Sequence, residues 1–262
     1  MFGATRDKPL ATTITGSLPR PVWFTGSLAG RPFPQAFAGD AVYREQYADA
    51  VAALIADQTR AGLDIVTDGE MRFDLDVGGR SWFGYLFDRL GGLEAFDPRL
   101  GAGAAGINRT GTPGDILHEF RTTMMPPRVV GPIDAGTLHY DAVWKVAQRL
   151  TDKPIKIGSC SGQMLERQLA NVYHKTKRDS LMAFAAALNA EYHRLAEAGC
   201  AVIQIEEPCV HSAFNGAFNV PVDDYVDALN AEIKGLRAKT EVWCHTSVLA
   251  RSPLISALSA ST

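Results

Sequence analysis

The chain has 262 residues, 46% of them hydrophobic, enough to bury a sizeable core, and its length fits one α/β barrel as well as two small domains, the single domain being the expectation. A formal net charge of -3 and a pI near 6.1 supply no basic field of the kind that phosphate backbones attract, which argues against nucleic acid as a partner. No apolar run approaches the roughly 20 residues that span a bilayer, and Met1 to Lys8 lacks a signal-peptide core, so the expectation is a cytoplasmic protein away from membranes. Cys160, Cys200, Cys209 and Cys244 form no Cys-x-x-Cys pair and are too sparse for a disulfide scaffold, so reduced thiols are expected.

The first predicted strand is Thr12 to Ser17. Asp40 then caps a helix in which Tyr43, Tyr47, Ala50, Val51, Leu54 and Ile55 recur at helical spacing, and Gly62 stops it before a strand from Leu63 to Glu70. Residues 73–127 are Gly-rich and dotted with Asp and Arg, too long for an ordinary connection, and read as an excursion or lid. Strands follow at Arg128 to Pro132 and Pro154 to Ser159, with a helix from about Ala142 to Leu150 between them. Asp179 is expected to cap a helix presenting Leu181, Phe184, Leu188, Tyr192 and Leu195, ended by Gly199 before a strand from Ala201 to Glu207. A last helix, about Asp223 to Leu236, carries Tyr225, Leu229, Ile233 and Leu236 and leads into a strand from Glu241 to His245.

Alternating helices and strands predict an α/β fold of the TIM-type (β/α)8 barrel, incomplete, with about six of eight strand-helix units in a single domain spanning 1–262. Two further units would be needed after His245, and residues 247–262 form a Ser/Ala/Leu-rich tail without a readable strand-helix pattern.

In a parallel barrel the C-terminal strand ends open on one face, so polar groups there share a site. Glu70 and Glu206 each follow an apolar run and together suit an ammonium group; alternatively each caps the next helix or pairs with a nearby Arg such as Arg72. Glu207 projects to the other side of its strand and precedes Pro208, which gives it a structural role first. His245 leaves a strand as a metal ligand, an acid/base group or a packed, hydrogen-bonded side chain. Alternation turns Cys244 away from it, against joint ligation. Cys209 reads as a small buried hydrophobe near the same mouth. Thr15-Gly16-Ser17 offers amides and hydroxyls for a carboxylate, or an ordinary turn, and Trp23-Phe24 reads as rim cover.

Taken together, Thr13-Ile14-Thr15-Gly16-Ser17-Leu18-Pro19-Arg20, Thr67-Asp68-Gly69-Glu70, Gln204-Ile205-Glu206-Glu207-Pro208 and Cys244-His245-Thr246 resemble the catalytic domain of cobalamin-independent methionine synthase, above all its short single-domain relatives. The resemblance runs from about Thr12 to His245. It implies a zinc-dependent methyltransferase that forms methionine by moving a methyl group from a methylated folate to the zinc-bound thiolate of homocysteine, zinc lowering the thiol pKa. By position it makes Thr15 and Ser17 the contacts to the amino acid's carboxylate, Glu70 and Glu206 the contacts to its ammonium, and His245 a zinc ligand.

The chain departs from that pattern at two places. Ser247 stands where the family's His-x-Cys motif has its Cys, and a neutral hydroxyl is a poor replacement for a thiolate on zinc. A pterin-stacking Trp would fall near Cys160, where no aromatic side chain stands, which puts folate as the donor in question. The resemblance therefore leaves three readings: the methyltransferase itself, a truncated inactive barrel fragment that keeps the amino-acid pocket, or a related zinc-dependent thiol alkyltransferase with another donor or acceptor. The fragment reading carries an expectation of self-association through open barrel edges.

Overall fold

The computed structural model describes residues 3–27, 38–72, 85–87, 89–94, 128–208, 210 and 220–246. Its centre is a four-stranded parallel sheet in the order β1-β4-β6-β7, formed by β1 (Val66–Thr67), β4 (Ile155–Cys160), β6 (Val202–Glu206) and β7 (Glu241–His245). The remaining strands, β2 (Gly91–Glu94), β3 (Arg128–Asp134) and β5 (Ala170–Asn171), make a separate three-stranded sheet in the order β2-β3-β5. The expected barrel strand at Arg128 therefore lies outside the parallel sheet. It pairs antiparallel with β2, from within the predicted excursion, and parallel with β5.

Two other expectations are corrected. The Thr12 to Ser17 run forms no strand and is tied to the base of the sheet where Asp64 and Ile65 N–H groups donate to the Thr12 carbonyl. Of the predicted Leu63 to Glu70 strand, only Val66–Thr67 pairs as strand, because Asp68 to Glu70 turn sharply instead.

Helices cover the outside of the sheet. Among the described residues they are α1 (Val22–Ser27), α2 (Ala41–Arg60), α3 (Tyr140–Gln148), α4 (Gly162–Gln168), α5 (Lys177–Glu197) and α6 (Val222–Glu232). Asp40 caps α2 through a bond from Tyr43 N, and the helix buries the six predicted apolar residues together with Gln58. In α5 the cap is Thr176 rather than Asp179: the Thr176 side chain accepts from the N–H of Asp179, whose carboxylate accepts from Thr176 N, a reciprocal capping box. Gly62 and Gly199 end α2 and α5 with φ of 83° and 109°, a region open to glycine at little cost.

Burial then follows strand alternation. Val66, Ile155, Ile157, Ile203 and Ile205 point toward the helices and join one core with Tyr47, Val51 and Leu54 of α2, Trp144 of α3, and Phe184, Leu188, Tyr192 and Leu195 of α5. Each such fully buried side chain stabilises the fold by roughly 1.5 to 3 kcal/mol before the entropy of ordering it is counted.

Candidate functional site

The other face of the same strands is polar. Register pairs Thr67 with Lys156, Gly158 with Gln204 and Trp243 with Gln204, and sets Cys160 and His245 beside Glu206, so these side chains share the face opposite the helices. Barrel interiors are ordinarily packed with branched apolar side chains, which makes this lining a departure that needs a chemical reason. A cleft opens there, bounded by Thr15 and Gly16 from the amino-terminal segment, Asp68 and Glu70 after β1, Lys156 and Gly158 of β4, and Gln204 and Glu206 of β6.

Glu70 is presented by a tight turn. Gly69 and Glu70 both have left-handed backbone, φ of 64° and 57°, and a β-carbon on Gly69 would lie 2.4 Å from Leu54 Cδ1, so that position requires glycine. Asp68 Oδ1 accepts from Glu70 N at 3.0 Å and fixes the turn. Arg72, fully buried, donates to both Asp68 oxygens at 2.9 and 2.8 Å and to the Gly158 carbonyl at 2.6 Å, tying the turn to β4. Arg72, offered by the sequence as one alternative partner for Glu70, forms its ion pair with Asp68. A glutamate in the left-handed region costs on the order of 1 kcal/mol or more, and here the surrounding bonds hold it in place.

The Glu70 side chain accepts from Ser17 Oγ at 2.5 Å, and the backbone behind Ser17 is anchored by the bond from Leu18 N to Gly69 O. Burial pushes its carboxyl up to about 7, with Arg72 opposing and Glu206 reinforcing the shift. Glu206, 4% exposed, accepts from Gln204 Nε2 at 3.0 Å. Its carboxylate lies so close to β4 that a β-carbon on Gly158 would sit 2.5 Å from Oε1. Lys156 donates to Gln204 Oε1 at 2.6 Å and to the Ile14 carbonyl at 2.7 Å, with Nζ 5.5 Å from the centroid of the Trp243 ring. Burial lowers its ammonium to about 8 while Glu206 and Glu70 pull the other way.

The structure therefore brings Thr15, Ser17, Glu70 and Glu206 together, with Thr15 and Ser17 exposed at the rim and the two carboxylates buried. Thr15 Oγ1 also reaches Gln204 Oε1, at 3.4 Å. His245 lies beside Glu206 in register and is exposed. Among the described residues no group of three or more His, Cys, Asp or Glu is arranged to hold a metal, so these residues do not build the zinc site that the resemblance implies. Cys209 and Ser247 lie outside the described residues. Cys160 is buried at the end of β4.

Glu207 is fully buried on the far side of β6, where Ser161 Oγ donates to it. Phe24 stacks on Tyr43 of α2 and packs into the core, leaving only Trp23 half-exposed. Lys156, Gln204 and Gly158 carry no role that the sequence alone assigns. The signal that finds the first two is a polar residue between two isoleucines on adjacent strands, Ile155-Lys156-Ile157 and Ile203-Gln204-Ile205.

A partial β/α barrel with a carboxylate-lined cleft on the inner face of its strands is the class that fold and site define. A family model described as the catalytic domain of cobalamin-independent synthase matches residues 105–261. The chain belongs to this cobalamin-independent methionine synthase family. Methionine synthase of Saccharolobus solfataricus is 30% identical over 230 residues, covering 88% of this chain and 60% of that protein. The Sulfurisphaera tokodaii methionine synthase is 29% identical over 231 residues with the same coverage. Among solved structures, a B12-independent methionine synthase from Shewanella sp. W3-18-1 in complex with selenomethionine superposes with a TM-score of 0.64 at 24% identity, over 90% of this chain and 61% of that one. The chain thus spans about three fifths of the length of these relatives.

Proposed function

We propose that the cleft binds the amino acid homocysteine and that the chain serves methyl transfer to its thiol, giving methionine. The observation that carries this reading is the convergence of two buried carboxylates, Glu70 and Glu206, on one cleft beneath the hydroxyl-bearing rim of Thr15 and Ser17. Buried carboxylates are costly without a cationic or hydrogen-bonded partner, and a substrate ammonium meets that demand. The carboxylate of the same ligand then lies at the rim, near the Thr15 and Ser17 hydroxyls, and the thiol side chain extends toward the ends of β6 and β7. The Saccharolobus and Sulfurisphaera relatives are methionine synthases, which supports homocysteine as the amino acid.

In this reading the chain's own residues bind and orient. Glu70 and Glu206 fix the ammonium, and the rim fixes the carboxylate. Together they leave the ligand one placement, so that the sulfur is held toward His245, the position the resemblance assigns to zinc. Methylated folate is the donor the family implies.

A second reading follows from Ser247 standing where the family's His-x-Cys motif has its thiolate ligand: an amino-acid-binding barrel that does not turn over. One experiment separates the two. The zinc-supplemented chain is incubated with homocysteine and methyl-labelled methylated folate, and labelled methionine is measured by mass spectrometry beside calorimetric binding of homocysteine. Labelled methionine supports methyl transfer, binding without product supports the second reading, and neither binding nor product overturns both.

A further inference from the structure

We infer that Lys156 and Gln204 form a relay of positioning residues that sets the orientation of Glu206 for an ammonium-bearing ligand. The inference rests on the reading of the cleft as an amino-acid site, and concerns residues to which the resemblance assigned no role.

Donor and acceptor identity fixes the orientation of the Gln204 amide. A lysine ammonium only donates, whereas a glutamine amide has one accepting end and one donating end. Lys156 reaches Gln204 at 2.6 Å, so the amide must present Oε1 to it. That choice leaves Nε2 as the end facing Glu206, to which it donates at 3.0 Å. With the amide reversed, its oxygen would face a carboxylate and its NH2 an ammonium, two repulsive contacts in a region where burial strengthens both. Lys156 is itself held at both ends of its reach. Its Nζ donates to Ile14 O at 2.7 Å and lies over the Trp243 ring, and at 1% exposure it has no solvent-facing alternative. The chain of bonds thus runs from the amino-terminal segment through β4 to the carboxylate on β6.

The geometry also explains why a lysine is tolerated inside the sheet. It neutralises part of the field of Glu70 and Glu206, yet being bonded to Ile14 O and Gln204 it does not occupy the ammonium position between the carboxylates. A direct ligand contact by Lys156 would act on the ligand's carboxylate instead, and this separates the two roles experimentally.

The test is calorimetric titration of the full chain with L-methionine and with 4-(methylthio)butanoic acid, its analogue without the amino group. We expect Lys156→Met and Gln204→Met each to weaken methionine binding about tenfold, the scale of one charge-assisted hydrogen bond, while the analogue changes by less than about twofold. The double variant is expected to lose no more than the worse single variant, because both act through one bond to Glu206. Equal losses for the two ligands would reveal general damage and overturn the relay, as would additive losses in the double variant. If Lys156→Met does not fold, the ratio of the two ligands in Gln204→Met decides the matter alone. A wild-type chain that binds neither ligand overturns the amino-acid reading and the relay with it, whereas a wild-type chain that binds methionine beside unaffected variants overturns the relay only.

Discussion

The Glu70 carboxyl sits where its two protonation states are close in free energy at neutral pH, because burial and Glu206 oppose ionisation while Arg72 and Ser17 favour it. An ammonium ligand requires the ionised form. Amino-acid affinity is therefore expected to rise between about pH 6 and pH 8, and binding near pH 7 is expected to release a proton. Calorimetry in two buffers of different protonation enthalpy measures that release directly, and a flat profile without release would remove Glu70 from the ligand's contacts. The same shift bears on stability with the opposite sign. A carboxyl whose folded value lies above its ordinary 4.5 supports the fold fully below the unfolded value, and that support is lost as pH rises through about 7. Glu70→Gln keeps the shape of the protonated form, so above about pH 8 it should melt a few degrees higher than wild type while losing the amino acid. Thermal melts at acid and alkaline pH test the sign. Glu70 and Glu206 were legible in the sequence because an acidic residue closing an apolar run is conspicuous. Lys156 was not, since one lysine in a strand looks like the solvent side of an alternating pattern until its neighbouring strands are known.

At the scale of elements, Gly158 leaves space on the inner face between β4 and β6, and the Glu206 carboxylate occupies it. Gly158→Ala would place a methyl group 2.5 Å from the Glu206 carboxylate and push it aside. The expected result is a fall in methionine affinity of about tenfold or more with little change in melting, since the far end of a side chain moves rather than the backbone. Loss of fold with loss of binding would mean that the contact is structural. The capping box of α5 predicts the reverse pattern: Thr176→Ala removes an acceptor remote from the cleft, costs about 1 kcal/mol, and leaves affinity unchanged. The buried faces of α2 and α5 were readable from spacing alone, and the glycines that end them from their place before a strand. The sheet membership of β3 was not. An apolar run bounded by turns specifies a strand but not its partners, and those of β3 include Gly91–Glu94, whose own sequence carries no strong β-forming pattern.

At the scale of the whole molecule, the described residues finish the two borders of the parallel sheet differently. At β1, Gln58 of α2 takes the place of a neighbouring strand: its amide donates to Thr67 O at 2.9 Å and accepts from Thr67 N at 2.8 Å. The Thr12 carbonyl covers the residues just before. At β7 the described residues show pairing on the β6 side only. A strand paired on one side presents free backbone groups to another chain. An uncovered β7 border would make the protein associate with itself as concentration rises. Light scattering across a concentration series measures this, and a monomer at every concentration would show that the border of β7 is covered.

The division of the sheet into an oily outer face and a polar inner face has a consequence for how such a molecule changes over generations. Cohesion resides between the strands and the helices, in Ile155, Ile157, Ile203 and Ile205 and the residues they meet. The inner face carries less of that apolar duty, so replacements there act first on what is recognised. Selection can then explore new small molecules without first disturbing the oily layer, a freedom that barrels with hydrocarbon-filled centres lack.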